Sequence, residues 1–236
     1  MELTGAIRDD GYSRHNIWEH SSTVRTLYRQ RARDEVEEMT CAAQAAELLA
    51  PLVKPGDTLL DVGCGSGHFY HSLRKRAIPV EYHGIDATRC LIAIGQEELP
   101  RFGLPQARLA TLRLEDLSGE VDHVVCINVL SNIDNFHKPL ERLLKIARRS
   151  VILRESVADA ATCLYVRDRF LDAGVDLGVY VNTYARAEVR ELITSRGFAV
   201  REETDRRCGG KPEMVIGFPH HWTFLVATRS QATTLE

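Results

Sequence analysis

The 236-residue chain has no uninterrupted apolar stretch of about 18 residues, the length a membrane-crossing helix needs. Residues 1–10 are polar and mixed in charge, without the apolar core of a secretory signal. Basic residues are not in excess: 30 Lys and Arg against 33 Asp and Glu give a formal charge of −3. A dedicated nucleic-acid binder normally shows a basic face, so DNA is not expected as a partner, and neither is a membrane. There is no Cys-x-x-Cys pair; six cysteines are scattered at 41, 64, 90, 126, 163 and 208. Cys64, Cys90 and Cys126 fall in segments expected to be buried, which fits reduced thiols in a cytoplasmic protein better than a disulfide framework. The histidine pairs His68/His71 and His220/His221 do not supply three or four converging ligands, so no metal is expected. Gly-x-Ser-x-Gly and Walker A patterns are missing, which leaves hydrolase and kinase readings without support. No internal repeat or low-complexity tract occurs, and the length suits one domain with appendages.

What is present centres on Leu59-Leu60-Asp61-Val62-Gly63-Cys64-Gly65-Ser66-Gly67-His68-Phe69. An apolar run reads as a buried strand, and it feeds three glycines at alternate positions and then a helix. Such a turn presents free N–H groups and the positive end of a helix to a ligand. The spacing is Gly-x-Gly-x-Gly, whereas a dinucleotide site wants Gly-x-Gly-x-x-Gly; His68 stands where the third glycine of that motif would fall. A second acid, Asp86, lies nineteen residues beyond Gly67 at the end of the next apolar run, close to the spacing at which a carboxylate meets a ribose. Strands are expected at 58–62, 80–85, 108–114, 121–127, 150–154, 198–202 and 222–228. Helices are expected at 34–50, 68–76, 88–99, 139–149, 158–171 and 186–195. Strands alternating with helices give a doubly wound α/β fold with a mostly parallel sheet.

The stretch D-V-G-C-G-S-G, with Asp86, the Asp122 segment and the terminal strand pair, resembles the class I S-adenosylmethionine (SAM) dependent methyltransferases over roughly residues 34–229. The resemblance implies a Rossmann-like sheet of seven strands with the last antiparallel, and SAM as cofactor. It also implies cofactor contacts from Asp61, Gly63, Cys64, Gly65 and Gly67; from Asp86 and Ala87 at the ribose; and from Asn128 and Val129 at the transfer cleft. Beside adenine the family often has an acid followed by a small residue, and here Arg113 takes the acid's place. Glu115, Asp116 and the Leu114 backbone all remain open as the adenine contact. The Asn-Pro-Pro-aromatic motif of many enzymes that methylate nucleic-acid bases is absent after the fourth strand, where Ile127-Asn128-Val129-Leu130 stands instead.

Three regions follow. Residues 1–33 read as an N-terminal helical cap or lid, with Tyr12, Trp18, Tyr28 and one of Arg31 or Arg33 facing inward, and Tyr28 and Arg33 as cofactor candidates. Residues 34–229 form the SAM-binding domain with an inserted helix at about 158–172, and residues 230–236 a flexible tail. The expected activity is in-line methyl transfer to an oxygen or nitrogen of a small-molecule acceptor. Two alternatives stay open: a SAM-binding protein without transferase activity, regulatory or a subunit of a complex, and a methyltransferase acting on protein or RNA. The sulfonium group carries its own reactivity, so a protein base is needed only where the acceptor must lose a proton. Candidates for that base or for the acceptor wall are His137, His220, His221 and Tyr184. The sequence is compatible with a homodimer and does not decide it.

Overall fold

The computed structural model describes residues 11–230. Twelve strands occur in chain order among the described residues. They are β1 (Thr58–Val62), β2 (Glu81–Asp86), β3 (Leu109–Thr111), β4 (Val121–Ile127), β5 (Ala147–Ala158), β6 (Tyr165–Arg167), β7 (Gly178–Tyr180), β8 (Tyr184–Ala185), β9 (Phe198–Thr204), β10 (Glu213–Val215), β11 (Phe218–His220) and β12 (Trp222–Arg229). Six α-helices accompany them: α1 (Ser22–Ala32), α2 (Thr40–Leu49), α3 (Phe69–Lys75), α4 (Arg89–Glu98), α5 (His137–Ile146) and α6 (Arg186–Ser195).

The main sheet has the order β3-β2-β1-β4-β5-β12-β9, and the short β8 adds to the end of β5. β12 runs antiparallel to both neighbours, while β3, β2, β1, β4 and β5 are parallel. The expected seven strands with an antiparallel last strand are therefore present. Side chains alternate across each strand, so one sheet feeds two cores. Leu60, Val62, Val124, Cys126, Val151 and Leu153 pack against Leu140, Leu143 and Leu144 of α5 and Ile193 of α6. Leu59, Val125, Ile152, Phe224 and Val226 pack on the other face against α2, α3 and α4. Strand order reverses between β1 and β4, and in open α/β sheets ligands bind in the crevice beyond the carboxyl ends at such a point.

Several sequence expectations are corrected. There is no helix at 158–172. β5 runs on through Ala158, and Tyr165–Arg167 pairs antiparallel with Gly178–Tyr180. Aromatic and β-branched residues favour that pairing: the Tyr165 and Tyr180 rings lie 4.9 Å apart and Val166 faces Val179. The helix expected from residue 34 starts at Thr40, because Asp34 sits at a φ of 57° and its acidic neighbours are spent elsewhere; Asp34 pairs with Lys75 and Glu38 with Arg76. β3 stops at Thr111, and Leu114–Asp116 turns as a single 3-10 segment. Cys64 and Cys126 are buried as expected, whereas Cys90 is only partly so. Residues 1–10 of the cap and 231–236 of the tail lie outside the described residues.

Near the amino ends of the central strands, three side chains meet in an order familiar from hydrolases. His123 Nδ1 lies 2.7 Å from Ser150 Oγ, and His123 Nε2 lies 3.1 Å from Asp57 Oδ2. All three are buried, at the edge of the sheet opposite the crevice, and none lines a cavity there. The trio is a polar latch across β1, β4 and β5. Replacing Ser150 by Ala leaves a buried ring nitrogen without its partner, so urea unfolding should show a loss of about 1–3 kcal/mol. Ligand binding in the crevice should be unchanged, and a Ser150→Ala protein with altered binding would contradict the latch reading.

Candidate active site

A cavity of about 410 Å³ opens at the carboxyl ends of β1, β2, β4 and β5. Its floor is the glycine turn. Gly63 and Gly65 hold φ values of 71° and 57°, a left-handed backbone that side chains other than glycine's rarely adopt. The N–H groups of Gly63 and Cys64 both donate to the Ile85 carbonyl, at 2.8 and 3.0 Å. The next residue, Asp86, closes the arrangement. Its Oδ2 accepts from the Gly65 N–H and its Oδ1 from the Thr88 N–H, each at 2.8 Å. Burial pushes the Asp86 carboxyl up, while those bonds hold it down. These bonds, with one from the Thr88 side chain, still leave part of a carboxylate's accepting capacity free, and Asp86 lines the cavity. Asp61, at the end of β1, is buried and accepts from the Tyr82 hydroxyl at 2.7 Å; burial lifts its carboxyl to about 7.

The cap roofs this floor. Tyr12, Asn16, Trp18 and Tyr28 line the cavity. The Ser66 hydroxyl donates to the Tyr28 carbonyl at 2.9 Å, and a Cβ on Gly65 would run into the Tyr28 ring. His68 meets the same ring edge-on at 5.4 Å. Burial drives the His68 pKa down to about 3, so the ring is neutral, and its Nδ1 has no partner. Helix α1 is held onto α4 by Glu98, whose side chain is fully buried. Arg29 reaches it at 2.6 Å and Arg33 at 2.9 Å, with Arg101 closing from the 3-10 turn that follows α4.

The far end of the cavity differs in character. Val129, Ile133, Val179, Val215 and Ile216 give apolar walls, beside Trp222 with the His220 ring stacked on it at 4.7 Å. Arg154 enters from β5 with its guanidinium 4.5 Å from the Trp222 ring centre. It pairs with the buried Asp205 at 2.6 Å and donates to the Asn128 side-chain oxygen at 2.5 Å.

Of the residues expected from sequence, Asp61, Gly63, Cys64, Asp86, Ala87, Leu114, Glu115, Asn128, Val129, Tyr28 and His220 line the cavity. The others lie elsewhere. Gly65 is beneath the Tyr28 ring, and Gly67 is packed against Leu99 and Leu109. Asp116 is not on the wall, so of the three open adenine contacts only Leu114 and Glu115 are placed there. Arg33 is turned away by Glu98. His137 sits on the outer surface against Glu188 at 2.8 Å. Tyr184 is buried with its hydroxyl donating to the Leu130 carbonyl at 2.6 Å, and His221 also lies off the wall. Arg154 and Trp222 were not foreseen. The signal for the first was on the page: Arg154-Glu155 interrupts an apolar strand, and charges in a buried strand are rare.

Residues 60–152 match the family model described as "Methyltransferase domain". The matched segment includes the glycine turn, Asp86 and Asn128, so it is this part of the chain that is similar to a methyltransferase domain. Among curated relatives, the mitochondrial ubiquinone biosynthesis O-methyltransferase of Saccharomyces cerevisiae is 30% identical over 83 residues, covering 34% of this chain and 27% of that protein. The chain thus spans about a quarter of that relative's length. A probable cobalt-precorrin-6B C(15)-methyltransferase (decarboxylating) of Methanosarcina mazei is 23% identical over 168 residues, covering 70% of this chain and 84% of that one. Among solved structures, magnesium protoporphyrin IX methyltransferase (ChlM) from Synechocystis PCC 6803 with bound SAM aligns with a TM-score of 0.59 and 19% identity, covering 96% of this chain and all of that one. That likeness is one of fold.

The ChlM structure holds SAM, and the residues present here suit that group. The left-handed glycine turn brings bare backbone to the cavity floor at Gly63. A Cβ on Gly63 would strike Val129, so nothing larger than glycine fits between the two walls. Asp86 keeps accepting capacity for hydroxyls, and the His68 Nδ1 is still unpartnered. Asp86→Ala should weaken binding of S-adenosylhomocysteine by about 1–3 kcal/mol, the scale of a lost charged hydrogen bond, measured by calorimetry. Gly65→Val should do more than block a ligand: the added side chain displaces the Tyr28 ring, so the cap should also become sensitive to protease.

Proposed function

We propose that this chain transfers the methyl group of SAM to an oxygen or nitrogen atom of a small, uncharged acceptor. The observation that carries the reading is one continuous cavity, polar at the Asp86 end and apolar and aromatic at the Trp222 end. When bound, SAM supplies an electrophilic methyl group. The protein's share is orientation and exclusion of water, which can contribute several kcal/mol to lowering a barrier. Asp86 and the Gly63 backbone would hold the cofactor, and Leu114 and Glu115 would flank its base. The acceptor would lie between Ile133, Val179, Ile216 and Trp222. Arg154 and Arg207 reach this end, but each has its own carboxylate, Asp205 and Glu213 respectively. A charge already matched recruits no anion, which favours an uncharged acceptor.

For a hydroxyl acceptor, His220 is the side chain suited to take the proton. It lines the apolar end, and burial lowers its pKa, which keeps the ring neutral and accepting near pH 7. The described part of the cap, residues 11–33, serves as a lid over both ligands in this reading, resting on Tyr28 and on the arginine contacts to Glu98.

Calorimetric titration should show binding of SAM and S-adenosylhomocysteine and no comparable binding of NAD. Tight NAD binding without SAM binding would end the proposal. S-Adenosylhomocysteine should also slow proteolysis within the first 33 residues. Release of S-adenosylhomocysteine from SAM, followed across panels of phenols, alcohols and amines, then identifies the acceptor class. Protein that binds SAM yet turns over none of them would favour a binding role.

A further inference from the structure

Strand β5 carries two adjacent charges, and only one has a counter-charge. Arg154 faces Asp205 on one side of the sheet. Glu155 points to the other side, is 2% exposed, and has no ion pair among the described residues. Its strand neighbours on that face, Leu153 and Val157, are fully buried in the α5–α6 core. An apolar residue would serve the fold at this position, so a carboxylate there calls for another reason.

The reason lies in its partners. Oε1 accepts from the N–H groups of Val129 and Leu130, each at 3.0 Å. Oε2 accepts from the Ser131 N–H at 2.8 Å and the Ser131 hydroxyl at 2.7 Å. Three successive peptide N–H groups converging on one anion form a nest. The carbonyls of the same turn are held independently: Tyr184 donates to Leu130, and Asn182 donates to Ser131 and Ile133. The N–H side of the turn thus depends on Glu155. This turn presents Asn128, Val129, Asn132 and Ile133 to the cavity. Asn128 holds a φ of 59°, uncommon outside glycine, so the turn is not one the chain adopts without support. The Val129 side chain stands directly over Gly63.

We infer that Glu155 is a positioning residue: its carboxylate fixes the 128–133 turn, and through Val129 and Asn128 it sets the wall where the cofactor and acceptor ends of the cavity meet. What that wall does rests on the proposed function; the turn's dependence on Glu155 does not. Ionised Glu155 accepts four bonds, and a protonated carboxyl would turn a donor toward donors. Burial lifts its carboxyl to about 6. The titratable groups facing it are Cys126, whose pKa burial raises well above the usual thiol value, and Tyr184, also raised by burial. Both stay neutral through this range.

The test compares wild type, Glu155→Gln and Ser131→Ala by hydrogen exchange of the 129–131 amides and by calorimetry with S-adenosylhomocysteine from pH 5 to 8. In folded Glu155→Gln, one amide NH₂ faces backbone donors. Exchange at 129–131 should accelerate and affinity at pH 7 should fall by about 10–100-fold, the scale of losing charged hydrogen bonds. Ser131→Ala should give a smaller change of the same kind. Wild-type affinity should weaken as pH falls through 6, and the Glu155→Gln profile should lack that component. The difference between the two profiles is the readout, since Asp61 and Asp86 titrate in both proteins. Unchanged exchange and affinity in a folded Glu155→Gln protein overturn the inference. If that variant does not fold, unchanged values in Ser131→Ala do so. Wild type that binds no S-adenosylhomocysteine defeats the proposed function as well, whereas normal wild-type binding with indifferent variants defeats the positioning role alone.

Discussion

The Asp86 carboxylate ties together two crossovers that the sheet alone would leave apart. The Gly65 N–H belongs to the turn after β1 and the Thr88 N–H to the approach to α4, and both end on this one side chain. The residue before it, Ile85, gathers two more N–H groups from the glycine turn through its carbonyl. The end of β2 therefore organises the turn after β1. Parallel strands make this natural, because their carboxyl ends lie side by side and their loops emerge together. The cap then builds on the turn, with Tyr28 over Gly65 and Asn16 donating to the Thr88 hydroxyl at 3.0 Å.

Two buried carboxylates and a half-buried one solve the same problem in different ways. A desolvated anion is costly unless paired or hydrogen-bonded. Asp86 uses two peptide N–H groups, and Glu155 uses three and a hydroxyl. Glu98 uses guanidinium groups from α1, from the residue that caps it and from the turn after α4, and despite burial they hold its carboxyl below the usual range. The choice of partner follows the task. Peptide N–H groups shape a local turn. Arginines from a separate helix dock one element onto another.

Much of this was legible in the residues, and the boundary has a physical cause. Short apolar runs marked β1, β4 and β12, and the alternate glycines with Asp61 and Asp86 marked the crevice. Those signals are local. What escaped depends on distant pairing. The segment after β5 has residues at helical spacing, yet Tyr165 and Val166 find partners fifteen and thirteen positions downstream and become a strand. Arg33 belongs to a segment rich in arginine, and nothing local says that Glu98, far along the chain, will claim it. Tyr184 and His137 have the chemistry of cleft residues and are spent on a carbonyl and a surface carboxylate. Propensity and motif report on neighbours in sequence, whereas the side of the sheet on which a charge finds its mate is decided by tertiary contact.

The matched charges at the Trp222 end of the cavity also bear on how a ligand arrives. Arg154 with Asp205, and Arg207 with Glu213, each present a dipole rather than a net charge. A dipole's field falls off within a few ångströms in water, so the mouth has little long-range pull on an incoming molecule. Steering of the kind that lifts association toward about 10⁸–10⁹ M⁻¹s⁻¹ is therefore weak at this end. Encounter is governed by diffusion and by the fit of the molecule's shape to the gap beneath the cap. Such capture is nearly indifferent to ionic strength, and selection falls to residence time on the Trp222 wall instead.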